Sequence, residues 1–441
     1  MLSLWKRRRS GKKKQNVEDD NKNGGGGREL RIPSNFVCPI SLDLMKDPVM
    51  LSTGITYDRD GIEAWLEAGN RTCPLTKQVL LAGSDPVPNH AIRQMIQDWC
   101  VENADSGVER IATPKAPIAS REVAEILSKI EAAGDELNGE TCRELVVKLR
   151  TAMEESKRNR KRIIANSAGK VLLDIFGSFS SKDNNFLDVL EEILSTLATM
   201  LPLDAESRSG NIVTDSSLRS LEWFMNNGNL PSRSNAVLVL REILAAADQT
   251  KCDEIVDFTL EPLVNLVKDP ICPAATKAAL LSIYYLISKS STPAAAKAAA
   301  ALSKLGIVAT ITETLVDCDR SVCEKALAVL DGVCGISAAA RETAINHALT
   351  IPVLVKKLHR VSELSTEFSV SVLWKLGKYD EKVVVEALRV GAFQKLLLLL
   401  QVGCSETAKE KAGELLKMMN VHKDSEECIE SGDFRNLKRT F

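Results

Sequence analysis

Hydrophobic positions along this chain fall into two textures. From about residue 120 to about residue 420 they recur three and four residues apart between short polar breaks, the period of helices that bury one face. That pattern predicts helices at 121–133, 142–150, 161–175, 186–200, 216–226, 234–247 and 252–267, with more to the C-terminus and no competing strand pattern. Between Ile32 and Asn103 the texture changes. Two short apolar runs, 49–51 and 55–57, flank Ser52-Thr53-Gly54, a turn signal between two strands. Asp58 then stands as an N-cap candidate, Ile62, Trp65 and Leu66 share one helical face, and Gly69 closes the helix. Asn89 is a second cap candidate, before Ile92, Met95, Ile96 and Trp99 on one stripe.

The C-terminal third repeats internally. GIVATITETL at Gly306, LTIPVLVKKL at Leu349 and GAFQKLLLLL at Gly391 align, which brings Leu315, Leu358 and Leu400 to one position. In the longer helices that follow, Leu330, Leu373 and Leu416 align, as do Ala326, Ser369 and Ala412. The spacing is 42 to 43 residues, that of armadillo-type repeats. Such a unit cannot bury its own apolar face, so units stack into a solenoid with an extended binding surface. A looser unit starts at Leu260 with a longer insert. Trp223 with Asn227, and Trp374 with Lys378, do not make a repeated Trp-Asn array, and both tryptophans are expected in the core.

Length, composition and charge narrow the class. The chain has 441 residues, a formal net charge of −2 and 44% hydrophobic residues, with only 4% aromatics, which fits two or three helix-rich domains. The repeats carry mixed charge rather than the basic, aromatic-studded face of a nucleic-acid reader. Eleven dispersed cysteines fit a reducing compartment, and no apolar run is long enough to span a membrane. A unit of about seventy residues has a thin core and needs a staple. Zinc is the obvious one, with Cys38, Cys73, Cys100 and His90 in range, but no two of these cysteines lie within five residues, whereas structural zinc sites take ligands in close pairs. No metal and no cofactor are expected. The staple expected instead is a hydrogen-bond network from Asp47, Asp58 and Arg59 with the hydroxyls of Ser41, Thr53, Thr56 and Thr76, alongside the Asn89 cap.

The ordered string CPIS, LDLMKDPV, TGITYDR, IEAWL, CPLTK, PNHAIR and MIQDWC resembles the U-box, the zinc-free relative of the RING domain. With the repeats behind it, the chain resembles the plant U-box/armadillo-repeat ubiquitin ligases over nearly its whole length. The implied fold is mostly α, a small α+β U-box followed by an all-α armadillo-type solenoid. The implied activity is that of a RING-type ubiquitin transferase with no covalent intermediate on this chain. The U-box recruits a ubiquitin-loaded conjugating enzyme and promotes transfer to a lysine of a protein substrate held by the repeats. By that resemblance Ile40 and Leu42 in the first loop, Pro74 in the second and Trp65 between them form a shallow apolar groove for the conjugating enzyme. Lys77 takes the place of the basic residue that touches both enzyme and ubiquitin. No catalytic nucleophile is expected. The alternative is a non-enzymatic scaffold with an inactive U-box.

The expected organisation is a flexible basic tail at 1–30, the U-box at 31–104, a linker at 105–119, helical repeats at 120–425 and a C-terminal tail at 426–441. The basic run at 6–14 leaves three roles open in an otherwise cytoplasmic protein: a nuclear address, a weak plasma-membrane contact, or solvated charge.

Overall fold

In the computed structural model, the described residues are 32–80, 86–112, 117–181, 186–203, 214–358 and 361–422, so the basic tail and the C-terminal segment 426–441 lie outside them. The chain divides into two units, 1–116 and 117–441, each with its own hydrophobic cluster.

The first unit is built on a small antiparallel sheet. Strand β1 (Pro48–Met50) pairs with β2 (Thr56–Asp58) in the register Val49 opposite Tyr57, and both of these side chains are buried. The turn between them is closed by Gly54 at φ 79°, a left-handed position that favours glycine. A third strand, β3 (Val87–Pro88), pairs with the other edge of β1 and was not predicted: two exposed residues carry no alternation to detect. Helix α1 (Arg59–Glu67) buries Ile62, and α2 (His90–Glu102) buries Ile96 and Cys100. Ile92 and Trp99 are half-buried, but Met95 falls outside the expected stripe and is exposed. Val108 and Ile111, within the predicted linker, rest on the core of this unit.

The second unit contains no strand among its described residues. Its long helices, Gly139–Glu155, Leu187–Met200, Leu230–Ala246, Pro273–Lys289, Arg320–Ile336, Glu363–Tyr379 and Glu406–His422, each pack on the next. Asn229, Cys272, Asp319 and Ser362 cap four of them, each side chain accepting from the backbone N–H three residues on. Gly306 and Gly391 occupy matching left-handed positions before Ile307–Val316 and Ala392–Val402. Ala326, Ser369 and Ala412 are all fully buried where successive long helices meet, so the helices approach closely. Cations cross the seams: Lys289 Nζ donates to the Leu244 and Ala245 carbonyls, and Lys395 Nζ to that of Val355, capping helix ends one unit back.

Two expectations need correction. The predicted helix 161–175 is two helices, Lys157–Ala165 and Ala168–Ser180, with Ser167 at φ 57° between them. One left-handed residue turns the chain without breaking the run of apolar side chains, so periodicity reads through the corner. The two tryptophans are half-buried rather than core. Trp374 lies between Lys378 and Lys411, whose ammonium groups stand 4.1 Å and 5.6 Å from its ring centre, and its Nε1 donates to Glu414.

Candidate functional site

The first unit presents two loops of the same build. In loop 1, Cys38 N–H donates to the Asp43 carbonyl and Leu42 N–H to that of Cys38. In loop 2, Cys73 N–H donates to Gln78 O and Lys77 N–H to Cys73 O. Single antiparallel bridges close both, Val37 with Leu44 and Thr72 with Val79. Cys-Pro-Ile-Ser-Leu-Asp thus matches Cys-Pro-Leu-Thr-Lys-Gln residue for residue. Leu42 and Lys77 occupy equivalent places, and each is held at φ 61°. A side-chain-bearing residue in that region costs about 1–2 kcal/mol.

Both loops are referred to one face of α1. Ile40 packs at Gly61: a Cβ there would lie 3.6 Å from the Ile40 side chain. Four residues on, Trp65 donates from Nε1 to Thr72 O at 2.8 Å and fixes the start of loop 2, while the Lys77 ammonium stands 5.8 Å from the centre of its ring. Positions four apart share a helical face, so α1 brackets the loops. Ile40, Pro74 and Trp65 are half-buried, and Leu42 is 74% exposed at the tip of loop 1. Leu75 was missed by the sequence reading. It is 59% exposed and is the loop 2 counterpart of Ile40, a position the repeated Cys-Pro-apolar string marks.

The staple has two parts. Asp47 accepts Arg59 Nε on one carboxylate oxygen at 2.5 Å and Arg93 Nη2 on the other, tying the residue before β1 to both helices. Asp58 Oδ1 accepts the N–H groups of Lys46 (2.9 Å) and Asp47 (2.8 Å). Asp58 stands at the N-cap position of α1 but makes no side-chain bond to the helix, which corrects the expected cap. Asn89 does cap α2, accepting Ile92 N–H at 3.1 Å, and donates to Thr56 Oγ1.

The second part is sulfur. Cys38 Sγ accepts the Asp58 N–H at 3.2 Å. Cys73 Sγ, buried under loop 2, takes Thr53 Oγ1 at 3.4 Å and lies 3.0 Å from Tyr57 OH. Tyr57 OH also accepts Leu75 N–H, and either the phenol or the thiol can supply the proton of the Tyr57–Cys73 bond. Burial pushes the Cys73 thiol up, but hydrogen bonds from Thr53, Thr76 and Tyr57 together outweigh it and bring it down to about 6. Burial, followed by the bond to Cys73, pushes Tyr57 up. Among the described residues, no three His, Cys, Asp or Glu side chains converge as metal ligands would.

Two like loops on one short helix, stapled by carboxylates and thiols and followed by a ladder of near-equal helical repeats, define a modular chain of the U-box and armadillo class. The chain belongs to the plant U-box proteins with ARM repeats: the family model described as U-box domain matches residues 32–105, and that described as Plant U-box protein ARM repeat region matches 122–439. It is 42% identical over 418 residues to U-box domain-containing protein 21 of Arabidopsis thaliana, covering 94% of each chain. To the E3 ubiquitin-protein ligase PUB23 of the same plant it is 36% identical over 411 residues, covering 90% of this chain and 95% of that one. A solved designed armadillo repeat protein is similar at a TM-score of 0.46 and 18% identity, over 56% of this chain and 100% of its own.

Proposed function

We propose that the chain is a ubiquitin ligase. Its U-box recruits a ubiquitin-loaded conjugating enzyme and promotes transfer to a lysine of a protein substrate held by the armadillo repeats. The observation that carries this is Leu42, a leucine kept both in solvent and in a costly backbone conformation at the tip of a docked loop. A folded domain retains such strain where a contact needs it. Ile40, Leu42, Pro74 and Leu75 supply the apolar contact, Trp65 backs it from α1, and Lys77 offers a cation at the rim. With no nucleophile proposed on this chain, the work is orientation. The acceptor amine attacks the thioester carbonyl, the carbon–sulfur bond breaks, and the conjugating enzyme's cysteine leaves as thiol.

Substrate binding by the repeats is supported by the polar face of the long helices. Cations there are paired with carboxylates, as in Lys375 with Asp331 and Lys378 with Glu414, which suits a protein surface better than a polyanion.

The test is reconstitution with activating enzyme, ubiquitin and a panel of conjugating enzymes. Loss of an anchor costs at least ~2 kcal/mol of a weak complex. Ile40→Ala and Pro74→Ala are therefore expected to abolish self-ubiquitination while the unit stays folded. Full activity in both variants sinks the groove. No activity of the unmodified chain with any conjugating enzyme leaves the scaffold.

A further inference from the structure

One seam of the repeats carries side chains that its neighbours lack. Counted from the helix caps Cys272, Asp319 and Ser362, the residue before each cap is Ile271, Cys318 and Val361, and the residue four after it is Thr276, Cys323 and Thr366. Of these three units, the middle one alone places sulfur at both positions. The helix Thr350–Lys357 adds a third departure. Its Lys357 is only 8% exposed, where the aligned residues of the flanking units are Thr314 and Leu399.

The three side chains meet. The Cys318 and Cys323 thiols are hydrogen-bonded to each other, and the Lys357 charge acts on both. Cys323 is fully buried in the first turn of Arg320–Ile336, with the Ser365 hydroxyl also on its sulfur, and Cys318 is half-buried against the same core. Among the described residues no carboxylate forms an ion pair with Lys357, so a thiolate is the counter-charge within reach of this buried ammonium. The bond from Cys318, with the Lys357 charge and Ser365 behind it, outweighs burial and the nearby Glu324 and brings the Cys323 thiol down to about 7. The same bond, followed by burial and with Asp319 adding to it, pushes Cys318 up. The pair therefore gives up one proton near neutrality and shares the one that is left. Hydrogen bonds also draw Cys73 and Cys272 down against burial, but from hydroxyl and backbone donors rather than from a second sulfur.

Two thiols in contact beside a buried cation make a site for oxidation. We infer that Cys318 and Cys323 are a dithiol that hydrogen peroxide closes to a disulfide within one repeat, and that closure loosens Thr350–Lys357 by removing the thiolate beside Lys357. Passage of the shared proton to Cys323 leaves the thiolate on Cys318, the sulfur nearer solvent. It attacks one peroxide oxygen, and the O–O bond breaks. Cys318 becomes a sulfenic acid, and the departing hydroxide is neutralised by the proton the pair gave up. The Cys323 thiol then attacks the Cys318 sulfur. The S–S bond forms as the S–O bond breaks, and the thiol proton leaves with the hydroxyl as water. Two thiols are oxidised and one peroxide is reduced to two waters. The disulfide is neutral, so Lys357 stays buried without its thiolate, a cost relieved by local opening. The inference goes beyond the ligase reading and does not depend on it.

The deciding experiment treats the reduced full-length chain with one equivalent of hydrogen peroxide near neutral pH, blocks the remaining thiols and digests with trypsin in the absence of reductant. Cleavage after Arg320 separates the two cysteines, so the expected product is the peptide ending at Arg320 joined through sulfur to 321–325. Lys357→Met, an apolar side chain of similar length, is expected to slow formation of that product roughly tenfold, as one pKa unit of thiolate would. Lys357→Arg keeps the charge and is expected to keep the rate. Amide exchange across 350–357 is expected to rise roughly tenfold on oxidation, and Lys357→Met to abolish the rise. Oxidation of another cysteine ahead of this pair overturns the inference, as does an unaltered rate in Lys357→Met. Exchange that oxidation leaves unchanged overturns it too.

Discussion

Leu42 and Lys77 pose one backbone problem twice, and glycine would solve it at both positions. Relief of the left-handed strain, after the extra freedom of glycine in the unfolded chain is counted, gives Leu42→Gly and Lys77→Gly a stability gain of about 0.5–1 kcal/mol. The same substitutions remove an exposed leucine and a rim cation. Thermal unfolding is thus expected to shift upward while discharge of a loaded conjugating enzyme falls, about tenfold or more for Leu42→Gly. A stability loss, or undiminished discharge, removes the argument from strain. Cys73 supplies a second residue-level outcome. Its folded-state pKa, about 6, lies below the ordinary thiol value of 9.0. The thiolate's contribution is full above pH 9 and is lost as pH falls toward 6, because the unfolded chain takes up the proton first. Stability of the first unit should decline across that window, and Cys73→Ser should flatten the decline. The apolar positions at Ile40, Leu42, Trp65 and Pro74 were legible from their motif. Leu42's conformation and Cys73's acceptor role were not, since a sequence does not state which way a loop turns or which hydroxyls converge on a sulfur.

At the scale of elements, position and orientation part company at Asp58. It precedes α1 as a cap should, yet its carboxylate faces the residues before β1 and takes two of their N–H groups. Asn89, with the same signal in front of α2, does cap its helix. The difference lies in competition. Lys46 and Asp47 offer Asp58 two backbone donors at once, which outbids one helix N–H. Asp58→Ala strands two donors, the one on Asp47 at a partly buried site, and is expected to cost about 1–3 kcal/mol, against about 1 kcal/mol for a lost cap such as Asn89→Ala. Chemical denaturation of the two variants side by side checks the order, and equal losses would return Asp58 to the role of a cap. The same limit explains the elements that periodicity missed. Strand β3 is too short to alternate, and the corner at Ser167 turns on a single residue. Where many residues vote, as in the long helices, the pattern named the element and left only its ends open.

The whole molecule is two cores on one chain. The cluster around Val49, Tyr57, Ile62 and Ile96 and the cluster running from Val123 to Met419 have no buried side chain in common. The second is assembled one seam at a time, with small residues where the long helices touch and Leu315, Leu330, Leu358 and Leu373 buried in the seams, while Leu400 and Leu416 of the last unit are not. Spacing alone revealed this ladder in the last three units, where the repeat is regular. It failed before Leu260, because Gln249–Lys268 runs as one 20-residue helix through Pro262 where later units use two. Coupling in such a stack passes from neighbour to neighbour, so damage at one seam spreads along the repeats. Leu373 is fully buried between two long helices, and Leu373→Ala is expected to cost about 2–5 kcal/mol. In calorimetry of the full chain this should lower the transition of the repeats and leave that of the first unit in place, whereas Asp47→Asn, which weakens the pairings with Arg59 and Arg93, should do the reverse. If either substitution moves both transitions together, the two cores fold as one body and the modular description fails.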